Sequence, residues 1–142
     1  MLDANLTLHD GTAITADKTL TSTTRSGGSV CVDTGEGQVA AGSGIRDLVA
    51  ILVDPDGLTD TDDTVAVDIQ ACATVDGTYV DIASFVDLHG SANAAGTVQI
   101  IRFSVPPTYR YVRAHIDITD NAGADFSEVL YVFLSNAGFY NL

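Results

Sequence analysis

The chain has 142 residues, with 6 Lys+Arg against 19 Asp+Glu and a formal net charge of -13. That length suits one domain, and folding at this size buries roughly two thirds of the surface, so a core needs neither disulfide nor metal. The charge repels phosphate backbones and argues against nucleic acid as a partner, while 46% hydrophobic residues exclude a disordered chain.

The opening, MLDANLTLHDGTAIT, has no basic start and no apolar h-region. No apolar run reaches the length of about 18 residues that a spanning helix needs. The expectation is a protein without a secretory signal or membrane partner, made and kept in a cytoplasm. Met1–Asp10 reads as an arm, with Leu2, Leu6 and Leu8 as apolar points and Asp3, Asn5, His9 and Asp10 as polar ones. Such an arm pairs with its own sheet edge or reaches a neighbour, and own-sheet pairing is the safer expectation.

Thr12–Thr24 is rich in Thr, with Ile14 and Leu20 as anchors, and β-branching favours an extended edge. Arg25-Ser26-Gly27-Gly28 is a turn and Ser29–Asp33 a short strand. Thr34–Gly44 carries four glycines among small and polar residues and reads as a contact loop. No Lys-Ser/Thr follows those glycines, so a phosphate-cradling loop is excluded. Asp47–Asp54 is apolar on both faces and fits a central strand. Asp54–Asp63 holds five aspartates in ten residues. Its order is not that of an EF-hand, because Gly57 follows Asp56 directly and no Glu lies at the required distance. A solvated turn cluster is the expectation there.

Thr64–Thr74 alternates, with Val65, Val67, Ile69, Ala71 and Ala73 inward and Ala66, Asp68, Gln70 and Cys72 outward. Val75–Thr78 is a hairpin signal whose Asp-Gly is expected to supply positive φ. Tyr79–Val86 returns as the partner strand, and Asp87–Gly96 is a small-residue loop. In Thr97–Thr119 two strands flank Pro106-Pro107, which cannot donate to a ladder and must break the pairing. Before the prolines Ile101, Phe103 and Val105 form the dry face, with Gln99, Arg102 and Ser104 as its polar complement. After them Val112, Ala114, Ile116 and Ile118 alternate with Tyr111, Arg113, His115 and Asp117. Phe126–Asn136 is a last strand, apolar on both faces, and Ala137–Leu142 an aromatic tail.

Eight or nine short strands with Gly, Asp and Asn turns and no helical period predict an all-β fold. The expected form is one antiparallel β-sandwich over residues 1–142, a jelly roll rather than an immunoglobulin topology. Cys31 and Cys72 read as buried thiols. His9, His89 and His115 are scattered over an arm, a loop and a strand, and Glu36 and Glu128 are the only glutamates. No HxH, HExxH or GxSxG occurs, so the expectation is a protein without catalysis, metal or cofactor. The face with binding character is Tyr109, Tyr111, Arg113 and His115, since Tyr and Arg are enriched at interface hot spots. The alternative for it is pairing with nearby aspartates.

The opening MLDANLTLHDGTAITADKTLTST resembles that of the capsid cement (decoration) proteins of short-tailed bacteriophages, the type found in a Bordetella phage. They begin with a Leu-Asp-Ala-Asn-Leu arm and a Thr/Ala/Ser-rich strand. VPPTYRYVRAHIDIT is similar to their proline and Arg-Tyr-Val-Arg strand, and the closing apolar strand with its aromatic tail also fits. The acidic loop Asp54–Asp63 departs from the pattern. The resemblance implies a jelly-roll virion protein that binds the outside of a capsid and bridges coat subunits. Its partners would be the major capsid protein and itself, as a dimer in preference to a trimer, without catalysis or cofactor. The contacts expected on that basis are Leu2, Asp3, Asn5, Leu6 and Leu8 of the arm, Tyr109, Tyr111 and Arg113 of the strand face, Phe139 and Tyr140 of the tail, and the loop Thr34–Gly44. The competing expectation is a carbohydrate-binding or adhesion module of a tail or fibre, with Tyr79, Tyr109 and Tyr111 as sugar platforms.

Overall fold

A computed structural model describes residues 6–19, 22–34, 46–58, 62–90, 94–120 and 126–136. They form two antiparallel sheets. The first orders its strands β1 (Thr7–Asp10), β10 (Tyr131–Asn136), β4 (Arg46–Asp54) and β8 (Thr97–Val105). The second runs from β2 (Lys18–Thr19) through β9 (Tyr111–Thr119) and β5 (Thr64–Cys72) to β6 (Val80–Ser84). Two short strands complete it, β3 (Val32–Asp33) on β9 and β7 (Leu88–His89) on β5. Taking β2 with β3 as one strand and leaving β7 aside, the chain fills the two sheets in jelly-roll order.

Period-two patterning does most of this work. Val65, Val67, Ile69 and Ala71 of β5 are buried, as are Val112, Ala114 and Ile116 of β9. These two strands pair over their full length, from Thr64↔Thr119 to Cys72↔Tyr111. Ala50, Leu52, Phe103, Val105, Leu130, Val132 and Leu134 meet them from the first sheet. The Pro106-Pro107 corner carries the chain across, because β8 pairs with β4 and β9 with β5.

Four expectations need correction. Gln99 shares the inward parity of Ile101 and Phe103. Its amide turns to the seam, accepting from Val86 N at 2.8 Å and donating to Val86 O at 2.8 Å. Gly77 has no positive φ. It is needed for closeness, since a Cβ there would lie 2.6 Å from Cys72 Sγ and 2.6 Å from Thr74 Oγ1. In the arm, the β1–β10 register slips between Thr7 and His9. The resulting bulge sends both Leu8 and His9 inside, each at 0% exposure. His9 therefore is not an outward polar point: its ring bonds Ser29 Oγ and Thr12 O, both at 2.9 Å. The acidic loop, finally, is not a solvated cluster throughout. Asp54 and Asp63 are buried, although Asp56 and Asp62 are exposed.

Glycine has a specific task at Gly11, where φ is +84° and a Cβ would lie 2.3 Å from the Tyr131 ring. Only a residue without a side chain lets the β1 exit turn and the aromatic occupy the same space.

Candidate partner-binding faces

Each sheet has an outer face, and the two differ in kind. On the second sheet the pairing sets Tyr111, Arg113, His115 and Asp117 beside Cys72, Gln70, Asp68 and Ala66. The loop 73–79 folds over one end. Its Tyr79 places its ring 3.8 Å from the Arg113 guanidinium carbon, and its hydroxyl lies 3.0 Å from Val75 O and 3.3 Å from Cys31 Sγ. Burial, then the contact with Cys31, pushes the Tyr79 phenol above its ordinary value. Arg113 Nε donates to Gln70 Oε1 at 2.9 Å, and Gln70 Nε2 to Asp81 Oδ1 at 2.8 Å. Beyond it Arg110 grips Asp33 through Nε–Oδ1 at 2.8 Å and a second nitrogen on Oδ2 at 2.7 Å. The same guanidinium stands over the Tyr111 ring at 5.3 Å. His115 Nδ1 and Asp68 Oδ2 are 3.8 Å apart.

Most of this face is paired within itself, although His115 Nδ1 makes no hydrogen bond. Arg113 is only 8% exposed, and its charge is spread over a ring and an amide. Tyr109 is not on the face at all: it precedes β9 in the turn closed by Tyr109 N→Pro106 O and packs on the core. Of the proposed sugar platforms, Tyr109 thus supports the core and Tyr79 has one ring face taken by Arg113. Both cysteines are buried thiols outside any disulfide.

The outer face of the first sheet is apolar. In β4, Leu48, Ala50 and Leu52 point to the core, so Val49, Ile51 and Val53 point away from it. The ladder aligns Tyr131↔Val53↔Val98 and Phe133↔Ile51↔Ile100 across β10, β4 and β8. Tyr131 and Phe133 stack with centroids 5.9 Å apart and 13° between their planes. Exposure rises across this face toward β8: Val49 is 0% exposed and Ile51 9%, whereas Ile100 is 47% exposed and Val98 55%. Val86, held to Gln99 at the adjoining seam, is 77% exposed. Three of the four exposed large hydrophobics among the described residues therefore gather at one edge. In a chain with formal charge -13, such an apolar area is the kind of surface that meets a partner.

Of the contacts expected from the sequence, Leu6 is half-buried against the core and Leu8 is fully buried in it. Leu8 is accordingly a packing residue. Tyr111 and Arg113 share one face, within the network described above. Leu2, Asp3, Asn5, Phe139 and Tyr140 lie outside the described residues, as does all but Thr34 of the loop Thr34–Gly44. The apolar face was missed although its signal is present. Asp47–Asp54 and Phe126–Asn136 were apolar on both faces, and a two-layer sandwich buries only one.

A second cluster is buried. Glu128, 3% exposed, lies near Asp54, which is 0% exposed. Asp54 Oδ1 accepts from Gly57 N at 2.7 Å. Asp54 Oδ2 and Glu128 Oε1 make no hydrogen bond. Burial, then the Asp54 charge, raises the Glu128 carboxyl to about 7. A carboxyl buried beside another acid favours its neutral form, which is the state this site prefers for Glu128. Among the described residues no three His, Cys, Asp or Glu side chains assemble as a metal site.

No protein-family model matches the sequence, and no curated protein matches it.

Proposed function

We propose that this protein is a structural cement protein that docks on the outside of a bacteriophage capsid and holds neighbouring coat subunits together. The observation that carries the reading is the apolar outer face of the β1-β10-β4-β8 sheet on a strongly acidic molecule. Charge keeps the free protein soluble, and the apolar face supplies contact area once a shell is present. The resemblance of the arm and of the VPPTYRYVRAHIDIT strand to cement proteins supplies the partner. A ligand of the assembled shell that ignores separated subunits stabilises the shell by mass action, and many copies make a small energy per copy sufficient. The role asks for a rigid body with a docking face and for no reacting group.

The test is cosedimentation of the protein with expanded and unexpanded shells of a short-tailed phage, with a heat challenge of the loaded shells. Saturable binding and increased shell survival are expected. Val53→Glu, at the middle of the apolar face between Tyr131 and Val98, should abolish binding and leave the free protein folded. Failure of the native protein to bind either shell would overturn the reading. Undiminished binding by the Val53→Glu variant would overturn the assignment of the face.

A further inference from the structure

We infer that Cys31 is a modification site for hydroperoxides, held beneath the loop 73–79 and placed between Tyr79 and Arg113. The observation is a pair of thiols buried on a face that is otherwise polar. Val32 and Ala71 belong to the core, so their neighbours Cys31 and Cys72 point to the outer side of the second sheet. Cys31 is nevertheless 2% exposed and Cys72 5%. The loop 73–79 covers them. Gly77 passes so close to Cys72 that a Cβ there would lie 2.6 Å from its Sγ, and the Tyr79 hydroxyl lies 3.3 Å from Cys31 Sγ. The cover is thin, since Ala73, Thr74, Asp76 and Thr78 are exposed. Its bonds from Gly77 N to Thr74 O and from the Tyr79 hydroxyl to Val75 O are internal to the loop. Tyr79 fastens it to the sheet through the ring on Arg113, so lifting that one side chain uncovers Cys31.

The chemistry follows from the neighbours. β3 and β5 flank β9, so the two thiols stand on either side of Arg113, and both are within electrostatic reach of its guanidinium. Tyr79 and Arg113 offer hydrogen-bond donors to the oxygen that leaves a peroxide. Cys31 has the Tyr79 hydroxyl beside it, whereas the Gly77 that covers Cys72 brings no side chain. The Cys31 sulfur attacks one peroxide oxygen: an S–O bond forms and the O–O bond breaks. Sulfur is oxidised to the sulfenic acid, the peroxide is reduced, and its second oxygen departs as water or alcohol with the thiol proton. A chain of formal charge -13 repels anionic oxidants, so a neutral hydroperoxide is the class admitted. Cys72 does not resolve the product. Strand spacing of about 4.8 Å sets β3 and β5 about 10 Å apart across β9, beyond the Cα separation of about 7 Å that a disulfide spans. The sulfenic acid therefore persists until an external thiol reduces it. This site lies on the sheet opposite the apolar docking face and does not depend on shell binding.

The experiment exposes the full chain to hydrogen peroxide with dimedone present and locates the adduct by peptide mass spectrometry. The rate of alkylation by iodoacetamide is measured in parallel. Alkylation needs the loop to open but needs no donor for a departing peroxide oxygen, so the ratio of the two rates separates activation from access. Dimedone is expected on Cys31 and not on Cys72. Tyr79→Phe keeps the ring over Arg113 and removes the hydroxyl, and Arg113→Gln removes the charge. Each should lower the ratio, Arg113→Gln by roughly tenfold, and Arg113→Lys should recover part of it. Circular dichroism checks each variant, and Tyr79→Phe decides alone if Arg113→Gln does not fold. A Cys31 that stays unlabelled at a peroxide concentration that modifies a free cysteine peptide overturns the proposal. So does equal labelling of both cysteines, which would mean that loop opening exposes two ordinary thiols, and so does a ratio indifferent to the variants.

Discussion

Replacing Glu128 by Gln should remove a pH dependence that the wild-type fold carries. In the unfolded chain this carboxyl ionises near 4.5, and in the fold it is held at about 7 by burial and by Asp54. Between those values the native state binds a proton that the unfolded state has released, so stability falls as pH rises. The contribution is fully present below about pH 4.5 and is lost as pH passes 7. Each unit is worth about 1.4 kcal/mol, so the window of about two and a half units amounts to roughly 3 kcal/mol. With Glu128 only 3% exposed, solvent screening takes little from that figure. Gln keeps the shape and does not titrate. Urea unfolding at pH 4.5, 5.5, 6.5, 7.5 and 8.5 should show the stability difference, variant minus wild type, rising by about 3 kcal/mol from acid to alkaline. That corresponds to roughly ten degrees in melting temperature. Parallel profiles, with a difference constant to within about 0.5 kcal/mol, would refute the raised Glu128 carboxyl.

His9 acts from the other side. Burial, the largest influence, holds its ring below its ordinary value of 6.5, so its contribution is present above 6.5 and is lost as pH falls. His9→Gln should flatten the acid limb of the profile while lowering stability at pH 8, read in the same urea series. Gly11→Ala should cost more than about 1 kcal/mol, because φ of +84° and the Tyr131 ring both oppose a Cβ; thermal melts would show it. Tyr79→Ala removes the ring over Arg113, worth about 0.5–2 kcal/mol. It should also open Cys31, now 2% exposed, to a thiol reagent, with faster labelling in a Cys72→Ser background as the readout.

Much of the second sheet was legible because alternation is a local property. The inward set of β5 and the alternating β9 set could be read residue by residue, and the structure places them opposite one another as Gln70↔Arg113 and Asp68↔His115. What could not be read was whatever depends on a change of period. The bulge after Thr7 inverts the parity of β1, so His9 enters the core against every compositional expectation. The turn after Val105 resets the phase, so Tyr109 shares the parity of Tyr111 but not its face. Buried acids escaped for a different reason. Asp54 and Glu128 are far apart in the chain, and only the β10–β4 pairing, which ends at Tyr131↔Val53, brings them together.

The strands that were hardest to place are those that carry the functional argument. A strand apolar on both faces is ordinarily read as doubly covered, as in a sheet between two helical layers. A two-layer sandwich has no second cover to offer. Val49 and Ile51 of the outward set are nevertheless buried, at 0% and 9% exposure, and the face opens only toward β8, at Val98 and Ile100. That surface costs solubility unless something offsets it, and a net charge of -13 does so for the free protein. The two properties explain each other: the charge is tolerable because acids are absent from β8, and the apolar face is tolerable because acids dominate the rest. Upsetting that balance by charging Val53 should leave the sandwich standing and take away what it binds.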